Sequence, residues 1–227
     1  MESHIKKILG LAAATVFVAG CGGGGGGGGD SDSSAEGLYS GTTTTGRAVT
    51  GLVLDDGTYY VLYSPVGSSN VIAGVIQGTG TSNAGTFSSG NARDFNLEGL
   101  GVLAATVSAS YVAKQSLNGT VSYSAGGTTS FSSTYDANYE AAPSLAALAG
   151  TFAGQVASSA GNDNATVTIS SAGAISGSGA SGCALSGTVS PRARGNAFNA
   201  SLTFGGAPCL FANQTLTGIA YFNATAK

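Results

Sequence analysis

Apolar and polar residues alternate with a period of two along most of the chain from Leu38 onward. The stretch Val49–Leu54, the turn Asp55-Asp56-Gly57 and the stretch Thr58–Tyr63 show the pattern clearly. Two short apolar runs joined by an Asp-Gly step, which supplies the positive φ of a tight turn, predict a β-hairpin. Further strands are predicted in the same half at Val71–Gln77, Val102–Val112, Leu117–Tyr123 and Thr128–Phe131.

One segment departs from this period. Pro143–Ala149, followed by Gly150 as a stop, predicts about one and a half helical turns, which is enough for a connector but not for a packed helix. The alternation then resumes and predicts six more strands, at Gly150–Val156, Ala165–Ser170, Ala174–Ser178, Ala184–Ser190, Ala197–Phe204 and Thr215–Phe222.

The second half partly repeats the first, although one of the three repeats falls at a different offset. The pairs are Gly37–Gly41 with Gly150–Gly154, the turn at Gly57 with the turn at Gly173, and Leu117–Ser122 with Leu185–Ser190. Many short strands joined by glycine turns are typical of antiparallel barrels and sandwiches. We therefore predict an all-β chain with an up-and-down β-barrel or sandwich architecture in two lobes, 37–142 and 143–227.

The first 36 residues follow a different pattern. Lys6 and Lys7 precede an apolar stretch from Ile8 to Ala19, which is shorter than the roughly 20 residues that cross a bilayer. This predicts a signal peptide over residues 1–20. Gly22–Gly29 and the polar residues after them predict a flexible tether within 21–36, which spans about 20 Å on average and at most about 50 Å.

The segment Val18-Ala19-Gly20-Cys21 resembles the lipobox of bacterial lipoproteins. In that family signal peptidase II cuts before the cysteine, whose thiol receives a diacylglycerol and whose amine is acylated. The resemblance therefore implies lipidation at Cys21 and a protein anchored to the membrane. Because Gly22 rather than aspartate follows the cysteine, it also implies the outer membrane. A simple cleavable signal and a transmembrane anchor are the alternatives.

The second half carries a Gly-Cys…Pro-Cys pattern, in Gly182-Cys183 and Pro208-Cys209. It resembles a group of uncharacterised proteobacterial β-barrel lipoproteins, which implies no particular activity. Poly-glycine after a lipid-bearing cysteine also resembles surface lipoproteins that bind transferrin or complement factors. With Cys21 lipidated, an oxidising compartment predicts a Cys183–Cys209 disulfide, and a buried reduced pair is the alternative.

Composition limits the chemistry. Charged residues make up 8% of the chain, and after residue 20 six basic and ten acidic residues remain, without any histidine. The basic residues are scattered, so we expect no nucleic-acid partner. A Ser-His-Asp triad and a histidine-bound zinc site are excluded. We therefore predict no catalytic residues, no metal site and no cofactor.

Three carboxylate pairs are the remaining candidates for acid–base chemistry: Asp55 with Asp56, Asp94 with Glu98, and Asp136 with Glu140. Turn chemistry explains the first pair. We interpret the other two pairs as solvated charges in loops. The aromatic run Tyr59–Tyr63 is interpreted as core packing, with a ligand pocket as the alternative.

The resulting functional prediction is a lipid-anchored, non-enzymatic lipoprotein of the outer membrane with a structural or binding role. Its predicted partner is the membrane, through the lipid, and its protein or small-molecule ligand is unknown. The alternative is a surface-exposed lipoprotein that binds a host or environmental macromolecule. An envelope enzyme that uses carboxylates alone is the least favoured hypothesis.

Overall fold

The structure is a computed structural model that describes residues 34–158 and 161–222. These residues are almost entirely antiparallel β-structure and divide into two compact units, 34–139 and 140–222. We call the first unit the N-terminal barrel and the second the C-terminal sheet. The predicted fold class, all-β and antiparallel, is confirmed, and the first unit is a closed barrel.

The N-terminal barrel is a meander of eight wall strands that closes through pairing of β4 with β6 and of β1 with β9. The short strand β5 continues β4 beyond Gly80 and pairs with the start of β6. The strands are β1 (Gly37–Thr43), β2 (Ala48–Val53), β3 (Thr58–Tyr63), β4 (Gly74–Thr79), β5 (Thr81–Asn83), β6 (Thr86–Asn96), β7 (Gly101–Val112), β8 (Ser116–Tyr123) and β9 (Thr128–Tyr135).

The meander places the connections alternately at two ends of the barrel. The β1–β2, β3–β4, β6–β7 and β8–β9 connections lie at one end, which we call the open end. The chain enters β1 at the opposite, closed end. There the Tyr39 hydroxyl donates to the Ala35 carbonyl at 3.1 Å, and the Tyr139 hydroxyl donates to Glu36 Oε1 at 3.0 Å. Tyr139 belongs to a 3-10 helix, Ala137–Glu140. The segment before β1 and the segment after β9 therefore both cover this end.

The C-terminal sheet begins with the predicted connector, the one-turn helix α1 (Leu145–Leu148). Ser144 caps this helix, because its Oγ accepts the Ala147 N–H at 3.3 Å. Six antiparallel strands follow in sequence order, and no pairing joins the first to the last within the described part of this unit. They are β10 (Gly150–Ser158), β11 (Gly161–Ile169), β12 (Ala174–Gly179), β13 (Ala184–Pro191), β14 (Ala197–Phe204) and β15 (Thr215–Tyr221).

The predicted disulfide is present. Cys183 and Cys209 are bonded, with their Cα atoms 4.5 Å apart. The bond joins the turn before β13 to the loop between β14 and β15. Both cysteines are buried in the core of the C-terminal sheet, together with Leu185 and Leu202.

The predicted strands do not include β1, β5 or β6. In β6 the alternation of apolar and polar residues is interrupted, so the pattern did not predict a strand. A β-bulge between Ser89 and Ala92 shifts its register against β7. Phe87 and Ser89 are buried before the bulge, and Ala92 and Asp94 after it, so the inward phase moves from odd to even residue numbers. The interpretation of Asp94 as a solvated loop charge is therefore wrong: this residue lies in a strand and is 1% exposed.

Candidate functional site: a cavity inside the N-terminal barrel

The N-terminal barrel encloses a cavity of about 590 Å³. Side chains on a strand alternate between two faces, so Tyr59, Val61 and Tyr63 of β3 all line it. Other apolar wall residues are Val49, Ile76, Val107, Leu117, Val121 and Phe131. The volume lies within the range of about 300–1,000 Å³ that is typical of small-molecule sites.

Three buried aromatic residues, Tyr39, Tyr59 and Phe87, form the floor of the cavity toward the closed end. The rings of Tyr59 and Phe87 meet edge to face, with centroids 5.5 Å apart. The Tyr59 hydroxyl donates to Ser89 Oγ at 3.0 Å. Gly80 leaves room for this arrangement, because a Cβ there would lie 2.2 Å from Phe87 Cζ.

A polar cluster interrupts the apolar wall. Asp94 Oδ1 accepts the Tyr63 hydroxyl at 2.8 Å, and Oδ2 accepts the Tyr123 hydroxyl at 2.9 Å. Asn96 Nδ2 donates to the Tyr63 oxygen at 3.1 Å. Burial raises the pKa of Asp94, while the two hydroxyl donors act in the opposite direction. Burial and the neighbouring carboxylate raise the pKa of Tyr63 and of Tyr123, so both hydroxyls remain donors at neutral pH.

Arg47 and Glu98 form an ion pair where the cavity meets the open end. Arg47 Nη1 lies 2.9 Å from Glu98 Oε2 and also donates to the Ser64 carbonyl at 2.9 Å. The guanidinium carbon lies 5.6 Å from the centroid of the Tyr63 ring. Around this pair the lining residues contributed by loops are Thr45, Val66, Leu100, Ala125 and Gly126. All of them belong to connections at the open end, so this end is the mouth.

The mouth carries exposed apolar side chains. Val66 and Leu100, which line the cavity, are 62% and 67% exposed. Val71 and Val102 are also exposed and lie at the same end of the barrel. The mouth is thus mainly apolar and contains one ion pair, Arg47 with Glu98.

The sequence-based interpretations of these residues were partly right. Tyr59 and Tyr63 are buried, as core packing requires, and they also line the cavity, as the alternative required. Asp56 supports the turn interpretation, because its Oδ1 accepts the Thr58 N–H at 2.9 Å. Glu98 is not an isolated solvated charge, since it is paired with Arg47. The predicted lipidation site Cys21 lies outside the described residues.

Sequence reasoning missed Arg47, Tyr123 and Asn96. Tyr123 closes a predicted strand, and its inward position follows from alternation with Val121, so that residue could have been placed. Asn96 and Asp94 follow the bulge and could not have been placed by alternation. Arg47 stands in a Thr- and Gly-rich turn that carries no binding motif.

No group of three or more His, Cys, Asp or Glu side chains in 34–158 and 161–222 could hold a metal ion. Over the same ranges no helix is long and apolar enough to span a membrane. No family model, curated protein or solved structure matches the chain. Function therefore has to be inferred from the residues of the cavity itself.

Proposed function

We propose that the N-terminal barrel is a non-enzymatic binding module that holds a small, mainly apolar molecule in its cavity. The observation that carries this proposal is the cavity of about 590 Å³, floored by aromatic residues and reached through an apolar mouth. An eight-stranded barrel is just wide enough either to be filled by its own side chains or to hold one small ligand. A purely structural barrel has no need of the unfilled space.

We further propose that a lipid on Cys21 anchors this module to the outer membrane. The support is the segment Val18-Ala19-Gly20-Cys21 and the glycine-rich tether predicted after it. The described chain begins at Ser34 and enters β1 at the closed end. The seven residues of β1 extend about 23 Å at about 3.3 Å per residue. The mouth would thus lie roughly one strand length from the end of the barrel that the tether joins, open to molecules in the surrounding compartment.

The ligand-binding proposal can be tested with a soluble form that lacks residues 1–20 and carries Cys21→Ser. The probe is N-phenyl-1-naphthylamine, an uncharged dye whose fluorescence increases in apolar surroundings. We expect saturable binding at one site. Val107→Phe adds a ring inside the cavity and should weaken binding by about tenfold or more, since it removes space that the dye needs.

Thr106→Phe is the matched control, because Thr106 is exposed on the outer face of the same strand, β7. It should leave dye binding unchanged, and thermal unfolding should show that both variants fold. Absence of saturable binding to the unsubstituted barrel would contradict the proposal. Equal affinities of the two folded variants would also contradict it.

The anchor is tested separately by labelling cells with palmitate. Protein with Cys21 should incorporate the label, and Cys21→Ser should not, because the thiol is the acceptor in the lipoprotein reaction. Equal incorporation by both would exclude lipidation at this residue.

A second candidate function is the binding of a macromolecule at the cell surface. The exposed apolar residues Val66, Val71, Leu100 and Val102 favour it, because apolar residues grouped at one end of a module often mark an interaction surface. This function requires the barrel to be outside the cell. Protease added to intact cells should then digest it, whereas a barrel that faces the periplasm should be protected until the outer membrane is opened.

A further inference from the structure

The charged groups that line the cavity do not balance. Three ionisable side chains other than tyrosines belong to the lining: Arg47, Asp94 and Glu98. Arg47 and Glu98 neutralise each other at 2.9 Å. No cationic side chain in the described part of the chain forms an ion pair with Asp94. With both carboxylates ionised, the cavity therefore carries one excess negative charge.

Arg47 lowers the pKa of Asp94 through its charge, but it forms no ion pair with Asp94 and its charge is already balanced by Glu98. Its guanidinium is held by Glu98 and by the Ser64 carbonyl, and it lies against the ring of Tyr63. Asp94 accepts a hydroxyl from Tyr63 and another from Tyr123. A carboxylate offers about four lone-pair sites, so two hydrogen bonds leave acceptor capacity for a further donor.

We infer that the ligand of this cavity is an amphipathic organic amine, with its protonated amino group beside Asp94 and its apolar body against the aliphatic and aromatic wall. This inference rests on the proposed binding function of the cavity. An ammonium group supplies both the missing positive charge and the missing donors.

The opposite polarity is disfavoured by the same geometry. A fatty-acid-like ligand would bring a third carboxylate into a space that already holds two. The one guanidinium available to receive it is paired with Glu98. Burial also raises the pKa of Asp94, so the ionised carboxylate is costly at this position, and a cation beside it would offset that cost.

The experiment compares decylamine, 1-decanol and decanoate, which share one chain length and differ in the charge of the head group. Each is used to displace N-phenyl-1-naphthylamine from the soluble form at neutral pH. We expect decylamine to bind about tenfold more tightly than decanoate, with decanol between them. This ranking needs no variant and so does not depend on how well a substituted barrel folds.

Asp94→Asn then locates the effect. It should weaken decylamine binding by about fivefold or more and change decanol binding by less than about twofold. The matched control is Asp55→Asn, which removes the same charge from an exposed turn at the closed end. It should leave all three affinities unchanged.

A preference for decanoate would overturn the inference, as would an Asp94→Asn barrel that retains its preference for decylamine. Equal losses in the two variants would also overturn it, because they would indicate long-range attraction instead of contact with Asp94. If the dye itself does not bind, the proposed cavity function fails. A failure of the ligand class, with the dye still bound, leaves the cavity function standing.

Discussion

The N-terminal barrel and the C-terminal sheet start in the same way. In each unit the first hairpin is followed by a second whose turn contains a glycine with positive φ, +79° at Gly57 and +83° at Gly173. The Gly57 amide donates to the Leu54 carbonyl at 3.0 Å, and the Gly173 amide donates to the Ser170 carbonyl at 2.9 Å. Similar turn chemistry therefore sets the path of the early strands in both units.

The two units then end differently. The barrel closes on itself through backbone pairing, so every wall strand has two neighbours. The described strands of the C-terminal sheet remain open between β10 and β15, and a disulfide lies in its core instead. A closed wall keeps its shape by hydrogen bonding and can therefore surround empty space. An open sheet depends more on what is packed against its inner face.

The largest test of this contrast removes the disulfide with Cys183→Ser and Cys209→Ser together. The two cysteines are 26 residues apart. In the chain-entropy model a loop of that length contributes about 3.5 kcal/mol. We expect about 2–4 kcal/mol to be lost from the unfolding free energy of the C-terminal sheet, and none from the barrel.

Urea unfolding can separate the two units, because eight of the nine tyrosines lie between residues 34 and 139. Tyrosine fluorescence therefore follows the barrel, and far-ultraviolet circular dichroism follows both units. Thiol titration of the unfolded soluble form that carries Cys21→Ser, without reductant, should find no free thiol. A loss below about 1 kcal/mol would mean that packing alone holds the sheet.

The C-terminal sheet was the more predictable unit. All six of its strands, the one-turn connector and the disulfide follow from alternation, glycine turns and cysteine count. The barrel was less predictable because two of its strands, β1 and β6, lack a clear alternation of apolar and polar residues. In β1, Gly41 occupies a position where a Cβ would meet the Ser132 carbonyl, and threonines follow, so little apolar signal remains. In β6 the bulge reverses the inward phase.

The polar residues that β6 contributes to the candidate site could not be predicted from the sequence either, because their positions depend on the bulge in that strand. Asn91 Nδ2 donates to Thr79 Oγ1 at 2.7 Å, and its Oδ1 accepts the Thr79 N–H at 3.0 Å, so the bulged residues are tied to another strand. Contacts between residues 12 positions apart thus decide that Asp94 points inward. The cavity depends further on the pairing of β4 with β6, which no local pattern reveals.

Substitution of Gly57 and of Gly173 tests whether the turn between the second and third strands is equally important for stability in the two units. A Cβ on Gly57 would lie 2.3 Å from the Gly80 carbonyl oxygen, and one on Gly173 would lie 2.3 Å from the Val189 carbonyl oxygen. We expect Gly57→Ala and Gly173→Ala each to cost about 2–3 kcal/mol, measured by urea unfolding, because backbone strain and a clash add together.

Gly67→Ala is the control for strain alone. Gly67 has the same φ as Gly57, +79°, but among the described residues nothing beyond its chain neighbours lies within 4 Å of the position that a Cβ would take there. The substitution should therefore cost only about 1 kcal/mol. A marked inequality between the two turn variants, or a control loss as large as theirs, would mean that the resemblance of the turns is superficial.

A smaller effect is expected from a matched pair of leucines in the repeated Leu-x-Gly-Thr-Val-Ser segments. Leu117 lines the cavity of the barrel, whereas Leu185 is packed in the core that contains the disulfide. Leu117→Ala enlarges a space that already exists. Leu185→Ala removes a side chain from a packed cluster and should therefore cost about 1 kcal/mol more. Equal losses in urea unfolding would indicate that the wall of the barrel depends on its interior packing as much as the sheet does.

The smallest effect concerns one aspartate from each unit. Asp94 is buried inside the barrel, and Asp163 lies at the surface of the C-terminal sheet. Burial raises the pKa of Asp94 above its ordinary value of 3.8. The hydroxyl of Ser181, 2.7 Å from the Asp163 carboxylate, lowers the pKa of that exposed residue. With a raised pKa the folded state holds more protons than the unfolded state, so stability falls as pH rises through that range. With a lowered pKa the contribution is present above the ordinary value and is lost as pH falls.

We therefore expect pH dependences of opposite sign when each wild-type stability is compared with that of its Asp→Asn variant. The advantage of wild type over Asp94→Asn should shrink as pH increases above the ordinary carboxyl pKa of 3.8, and its advantage over Asp163→Asn should shrink as pH decreases below that value. Among the groups near Asp94, the pKa of Tyr63 and of Tyr123 is raised, and Glu98 is the other carboxylate that acts on it, so Glu98→Gln is the necessary control. Urea unfolding at a series of pH values measures both differences. Dependences of the same sign would show that Asp94 is hydrated through the mouth, as an exposed carboxylate is, and the contrast between a buried cavity charge and a surface charge would not hold.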